Sequence, residues 1–212
     1  MASALGLLGR AHAVNSLLDD TFSIATEGRS PRKLAVLDAA ITLFAEKGYD
    51  GVSVRDIGDR LDQSGPSIYR HYGSKEELLA DAVAVVIIPM IDALREIAGS
   101  PAPASERLER AIWFHASFAL RHRVYLRVYY RDARHLSEAA RRVHRRRADT
   151  YRDLWTRLMT ESGVAEDDDE ALVLYGLLMA MLNVGTPSAS RLGETELLDL
   201  VAARAAAMLA GE

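Results

Sequence analysis

The sequence predicts an all-α protein, with a head of three short helices ahead of a larger helical bundle. Three observations predict it. Apolar residues recur at three- and four-residue spacing through most of the 212 positions, as one face of a helix requires. No stretch alternates apolar and polar residues as a half-buried strand does. The candidate helix starts carry Ser, Pro and acidic residues at capping spacings.

Taken in order, residues 1–29 read as a leader whose only periodic piece, around Val14 to Leu18, is short. It is expected to be mobile, or ordered only by docking on the body. Ser30-Pro31 opens the first helix, with Ser as N-cap and Pro where its missing N–H is not needed. Leu34, Leu37, Ile41 and Phe44 form its apolar stripe, and Gly48 ends it. Ser53, with Asp56 three residues on, caps a second helix whose Val54, Ile57 and Leu61 face inward. Asp62-Gln63-Ser64-Gly65 breaks that helix. Ser64 is then placed to cap a third, spanning 65–72, with Pro66 in its first turn. Gly73 closes it, and Ser74-x-x-Glu77 is a second capping box opening a longer helix.

The remainder predicts helices near 75–98, 104–122, 124–132, 137–162, 167–184 and 194–209. Pro89 is expected to kink or split the first of them. Gly99 to Pro103, Gly163, and Gly185 to Gly193 are the connectors.

Composition narrows the function. Apolar residues make up 49% of the chain, enough for a core without metal or disulfide support. There is no cysteine, which removes disulfides and thiolate zinc sites and suits a reducing cytoplasm. The first residues lack the basic lead of a secretory signal. No run approaches the ~20 apolar residues of a membrane span, so a cytoplasmic protein without membrane contact is expected. The six histidines, His12 among them, show no metal-ligand spacing. His115 and His122 lie on one helix but without a companion carboxylate. There is neither a phosphate-binding glycine loop nor a nucleophile elbow, and Asp167 to Glu170 reads as acidic residues at a helix N-terminus. An enzyme is not expected, and no cofactor is.

Net charge is −4, so DNA is not bound by bulk charge. Between Arg29 and Lys75, however, eight basic residues stand against six acidic ones. Val54-Arg55-Asp56-Ile57-Gly58, followed by Ser64-x-x-Ser67-Ile68-Tyr69-Arg70-His71-Tyr72-Gly73-Ser74-Lys75-Glu76-Glu77-Leu78-Leu79, resembles the TetR/AcrR family of bacterial regulators. The resemblance runs from Arg32 to Asp81; beyond it only length and helical character agree. It implies a helix-turn-helix DNA-binding domain over 30–74 and a ligand-binding and dimerisation domain over 75–212.

The residues support this independently. A helix-turn-helix needs one helix to brace on the DNA backbone and a second to enter the major groove. Ile68 and Tyr72, one turn apart, face inward, which leaves Ser67, Tyr69, Arg70 and His71 on the other faces. Ser64, Gly65, Pro66 and Ser67 are small enough to let the backbone approach DNA. The resemblance implies Tyr69, His71 and Lys75 as phosphate contacts, with Arg55 as a fourth; Arg70 reaches phosphate or base edge. Two positions depart from the family. Asp62-Gln63 stands where Gly-Val is common, implying either a looser turn or a Gln63 turned to solvent, and Pro66 stiffens the groove-facing end.

In the body, Trp113, Ser117, Phe118, Tyr129, Trp155, Met159, Tyr175, Met179 and Asn183 are candidate ligand contacts, apolar residues with a few polar groups among them. The last two helices are apolar on more than one face, as a dimer interface requires. Arg141-Arg142-Val143-His144-Arg145-Arg146-Arg147 reads either as a solvated face, with Glu138–Arg142 and Arg145–Asp149 pairs, or as a rim for the phosphates of an acyl-coenzyme A. The expected function is a homodimeric repressor that a small apolar ligand, such as an acyl-coenzyme A, releases from double-stranded operator DNA. The alternative is a helical carrier protein with a vestigial head.

Overall fold

The computed structural model describes residues 28–183 and 193–210. The leader before Gly28, with His12, and the connector over 184–192 lie outside the described residues. Nine α-helices follow in order: α1 (Pro31–Lys47), α2 (Val54–Arg60), α3 (Gly65–Tyr69), α4 (Lys75–Gly99), α5 (Ala104–Arg121), α6 (Arg123–Asp132), α7 (Glu138–Glu161), α8 (Asp168–Asn183) and α9 (Glu194–Ala210). A 3₁₀ turn, Ala133–His135, joins α6 to α7. No strand occurs among the described residues, and no described helix is long and apolar enough to cross a membrane.

The helix starts follow from the capping chemistry. Ser30 Oγ accepts the Lys33 N–H at 3.2 Å. Ser53 and Asp56 form a reciprocal box: the Asp56 N–H donates to Ser53 Oγ at 3.1 Å, and the Ser53 N–H to Asp56 Oδ2 at 2.7 Å. At α4 the Glu77 N–H donates to Ser74 Oγ, but the Glu77 carboxylate takes the N–H of Gly73 instead of that of Ser74.

Three expectations need correction. Ser64 occupies the N-cap of α3, yet its hydroxyl makes no capping bond. The Ser67 N–H it would have accepted donates at 2.8 Å to the Ser64 carbonyl. The third helix ends at Tyr69 rather than Tyr72, because the Arg70 and His71 N–H groups turn to the carbonyls of Ser67 and Ile68. Of the kink or split expected at Pro89, the split does not occur: α4 runs unbroken from Lys75 to Gly99 with the proline inside it. The proline is buried between apolar neighbours, and burial on this scale outweighs one missing backbone bond.

Contacts group the chain into two compact units. The described residues up to Pro89, together with Val124–Ala148, make one; Met90–Arg123 and those from Asp149 onward make the other. In the first unit, Val36, Ile41 and Phe44 of α1 pack with Ile57 of α2, Ile68 of α3 and Leu78 and Leu79 of α4. Helices of seven and five residues are unstable alone, so this shared core holds them. Val128 of α6 and Leu136 complete it, so the head's packing continues past the division drawn at residue 74.

In the second unit α9 packs against α5 and α8. Every residue of α5 from Ala111 to Phe118 is buried. Trp155, Leu158 and Met159 of α7 and Leu178 and Leu182 of α8 belong to the same interior.

Candidate nucleic-acid interface and the apolar body

The turn between α2 and α3 is tight because of two residues. Gly58 is buried, and a Cβ there would lie 2.6 Å from the Gln63 carbonyl oxygen. That closeness lets the Gln63 N–H donate to the Gly58 carbonyl at 2.9 Å. Asp62 takes the left-handed conformation, with φ 53°, which Asp tolerates better than most non-glycine residues. Gln63 is half-buried, and its Oε1 accepts from Ser67 Oγ at 3.1 Å. The turn is therefore pinned by a side-chain hydrogen bond where an apolar contact is common, and is neither loose nor open at Gln63.

On this frame Ile68 and Tyr72 point inward, 1% and 2% exposed. Tyr69, at 53%, stands out from the surface, and Ser64, Pro66 and Arg70 are exposed beside it. Ser67 Oγ accepts from Arg70 Nη2 at 2.8 Å, which holds the guanidinium along the helix. Gly65 and His71 are half-buried. Arg55 lies on the solvent side of α2, 3.8 Å from Asp59.

Tyr69 and Lys75 are brought together. With Ser53, Ser74, Asp56 and Glu76 they line an open cleft of about 710 Å³. Two of its three acidic members are engaged locally: Asp56 is held below the usual carboxylate range by the Ser53 hydroxyl and N–H, and Glu76 by its own N–H and the Ser74 hydroxyl; the third, Asp50, lies 3.6 Å from His135 Nδ1.

Sequence reading missed the supports of this cleft. Tyr49, buried at the start of the α1–α2 connection, places its ring 3.9 Å from the Lys75 ammonium. Burial, then Glu76, pushes its hydroxyl up to about 12. Tyr72 donates to Asp81 Oδ2 at 2.6 Å, Arg29 pairs with the same carboxylate, and Lys33 lies over the Tyr72 ring at 4.6 Å. The contact between Tyr72 and Asp81 fixes the end of the helix-turn-helix to α4. Only the nine-residue spacing of Tyr72 and Asp81 was there to be read.

In the body, His115 is fully buried and central. Tyr151 Oη lies 2.8 Å from its Nδ1, and Asn183 Oδ1 lies 3.2 Å from its Nε2. Asn183 Nδ2 donates to the Met179 carbonyl, so its Oδ1 is the accepting end. The imidazole then carries its proton on Nε2 and accepts from Tyr151. Burial pushes His115 down to about 4, so it is neutral.

Trp113, Ser117, Phe118, Trp155 and Met159 are all buried in this unit, and Tyr175, Met179 and Asn183 are half-buried in it. Burial also raises the Tyr175 hydroxyl. Two polar atoms here, Ser117 Oγ and Trp155 Nε1, are buried without a hydrogen-bond partner. Tyr129 is not part of this group. It belongs to the head's unit, packed edge-on to His144 at 5.1 Å.

The arginine run also lies in the head's unit. Arg142 pairs with Glu138 as expected. The Arg145–Asp149 pair is replaced: Asp149 accepts from Arg152 at 2.7 Å, a guanidinium that also bonds Asp153.

Comparison with known proteins agrees with this architecture. Residues 36–82 match the family model described as bacterial regulatory proteins, tetR family. Residues 101–186 match the one described as tetracyclin repressor-like, C-terminal domain. The chain is 29% identical over 142 residues to the HTH-type transcriptional repressor KstR2 of Rhodococcus jostii, covering 66% of this chain and 69% of that protein. It is 34% identical over 102 residues to KstR2 of Mycobacterium tuberculosis, a match that spans 48% of this chain and 50% of the mycobacterial one. Among solved structures, the ketosteroid transcriptional regulator KstR2 of Mycobacterium tuberculosis superposes with a TM-score of 0.74 at 23% identity, covering 87% and 96% of the two chains. AibR, solved in complex with isovaleryl coenzyme A and operator DNA, gives 0.68 at 18% identity over 82% and 97%. The chain belongs to the TetR family of bacterial regulatory proteins, a family of DNA-binding transcription regulators and not of enzymes.

Proposed function

We propose that this chain is a homodimeric repressor released from its operator by a small, predominantly apolar effector that carries a hydrogen-bond-accepting oxygen. The observation that carries the effector reading is the pair of unpartnered buried groups, Trp155 Nε1 and Ser117 Oγ, in the interior where His115, Tyr151 and Asn183 are bonded to one another. An unpaired buried donor costs about 1–3 kcal/mol, and a carbonyl oxygen on a ligand would remove that cost at the indole N–H. Neutral His115 and the lack of a carboxylate among Trp113, Ser117, Phe118, Trp155, Met159, Tyr175, Met179 and Asn183 disfavour a cation. An acyl thioester and a ketone both offer the required carbonyl. Regulators of similar fold are described with each chemistry: AibR with isovaleryl coenzyme A, and KstR2 as a ketosteroid regulator.

On DNA, α3 enters the major groove with Ser64, Gly65, Pro66 and Ser67 foremost. Arg70 is directed to base edge or phosphate, and Arg55, Tyr69, His71 and Lys75 take backbone phosphates. For the dimer, the support is apolar exposure on α8, where Leu172, Val173 and Leu177 are 49%, 64% and 52% exposed, and Leu200 of α9 at 45%. Two heads must meet successive major grooves about 34–36 Å apart, so a change of a few ångströms in their separation releases the operator.

The test is titration of the protein–operator complex with acyl-coenzyme A esters of several lengths, the matching free acids, and a steroid ketone. Release by an ester or a ketone, abolished in Trp155→Phe, supports the reading. Release by none of them, or undiminished release in Trp155→Phe, contradicts it. A carrier protein would bind the ligand but show no salt-dependent affinity for DNA.

A further inference from the structure

The 3₁₀ turn and the first half of α7 share a compact unit with the helix-turn-helix, and they bring charge to it. Its described residues hold 16 Lys and Arg against 11 Asp and Glu, within a chain of net charge −4. Between Val124 and Ala148 there are eight arginines and only two carboxylates, Asp132 and Glu138. Asp132 is buried and engaged by Arg131, and Glu138 is engaged by Arg142. Two further arginines of this stretch are engaged by neutral groups. Arg141 Nη2 donates to the carbonyls of Arg134 and Leu136, each at 2.9 Å. Arg134 Nε donates to His135 Nε2 at 3.1 Å. Arg145 is exposed.

Their position is defined. The His135 ring stacks on Tyr49, with centroids 5.2 Å apart, and the Lys75 ammonium sits over that same tyrosine. His135 is also 3.6 Å from Asp50, a residue of the cleft that holds Tyr69 and Lys75. The arginine-bearing segment therefore begins at the flank of the cleft that holds Tyr69 and Lys75.

We propose that Arg134 to Arg145 form a second, sequence-neutral contact with DNA, taking phosphates of the duplex that flanks the operator. The proposal rests on the regulator reading above. It extends the interface beyond the helix-turn-helix, along a surface continuous with Lys75. A strip suits a polymer better than a small anion. Arg141, Arg142 and Arg145 rise about 6 Å along the helix and are exposed, whereas a compact phosphate ligand calls for converging donors in a pocket. Guanidinium contacts to phosphate add affinity without reading bases.

The experiment uses the full chain and a duplex selected by it from a random pool. The duplex is prepared at the length of the footprint and again with ten further base pairs on each side. The wild type is expected to bind the extended duplex about tenfold more tightly. The triple variant Arg134→Gln, Arg142→Gln, Arg145→Gln loses that gain, and on the extended duplex its slope of log affinity against log salt is flatter by about five, from three contacts on each protomer of the dimer. It keeps wild-type affinity for the short duplex. Arg→Lys at the same three positions retains the gain, which separates charge from folding. Lys75→Gln weakens both duplexes. A triple variant matching the wild type on the extended duplex overturns the proposal alone. So does one that loses coenzyme A ester binding with an unchanged salt slope, which returns the run to ligand recognition. A wild type that selects no duplex overturns the regulator reading and this proposal with it.

Discussion

The Tyr151 hydroxyl donates to Nδ1 of His115 at 2.8 Å, the first of three hydrogen bonds that run on through Asn183 to the Met179 carbonyl. The chain ties α7, α5 and α8 together with every donor directed. Protonation would reverse the tyrosine contact and place a charge in a fully buried site, which desolvation opposes. Its neutrality is thus a consequence of its burial.

Stability follows from that neutrality. Below its ordinary value near 6.5 the unfolded chain protonates at His115, while the folded chain, with His115 near 4, does not. Stability is therefore fully present above about pH 6.5 and is lost as the pH falls toward 4. The shift implies a loss of about 2 kcal/mol between pH 7 and pH 5. In His115→Gln this part of the pH dependence disappears. Denaturant midpoints for both proteins at the two pH values check it, and equal losses in the two would contradict the assignment.

Gly58 governs the turn before α3. A Cβ there would meet the Gln63 carbonyl oxygen at 2.6 Å, so Gly58→Ala forces that backbone apart. We expect a cost of about 1–3 kcal/mol and loss of duplex binding with the oligomeric state unchanged. Wild-type affinity in this variant would show that the turn geometry is not what positions α3.

Much of the head was legible from local rules. Ser53 with Asp56, Ser30-Pro31, and the inward pair Ile68 and Tyr72 act within one or two helical turns, and each is found as read. Ser64 was not, because the N–H it was expected to cap finds a nearer carbonyl. The part of the core supplied by Val128 and Leu136 was not legible either. Those residues lie about ninety positions from Val36 and Leu43, and no periodicity records such a partner. The same holds for His115, Tyr151 and Asn183, which lie on three helices. Ser117 and Asn183 stood out as polar residues among apolar ones, but which buried atoms lack a partner emerges only when the helices are packed.

The exposed apolar residues of α8 make the dimer testable. Val173→Glu with Leu177→Glu, at positions 64% and 52% exposed, places charges where a partner helix is expected. Sedimentation should give a dimer for the wild type and a folded monomer with weakened operator affinity for the variant. A variant that sediments as a dimer would move the interface elsewhere.

The central claim is that the cleft joining Tyr69 and Lys75 grips DNA phosphates beside a groove-reading α3. Its most direct test is the salt dependence of affinity for the selected operator duplex, in the wild type and in Tyr69→Phe with Lys75→Gln. The account predicts a steep slope in the wild type. In the double variant it predicts a slope flatter by about two units, one for each protomer of the dimer, since lysine but not tyrosine displaces a counterion. Affinity should fall by a similar factor for operator and unrelated duplex alike. An unchanged slope, or a loss confined to the operator sequence, would contradict it.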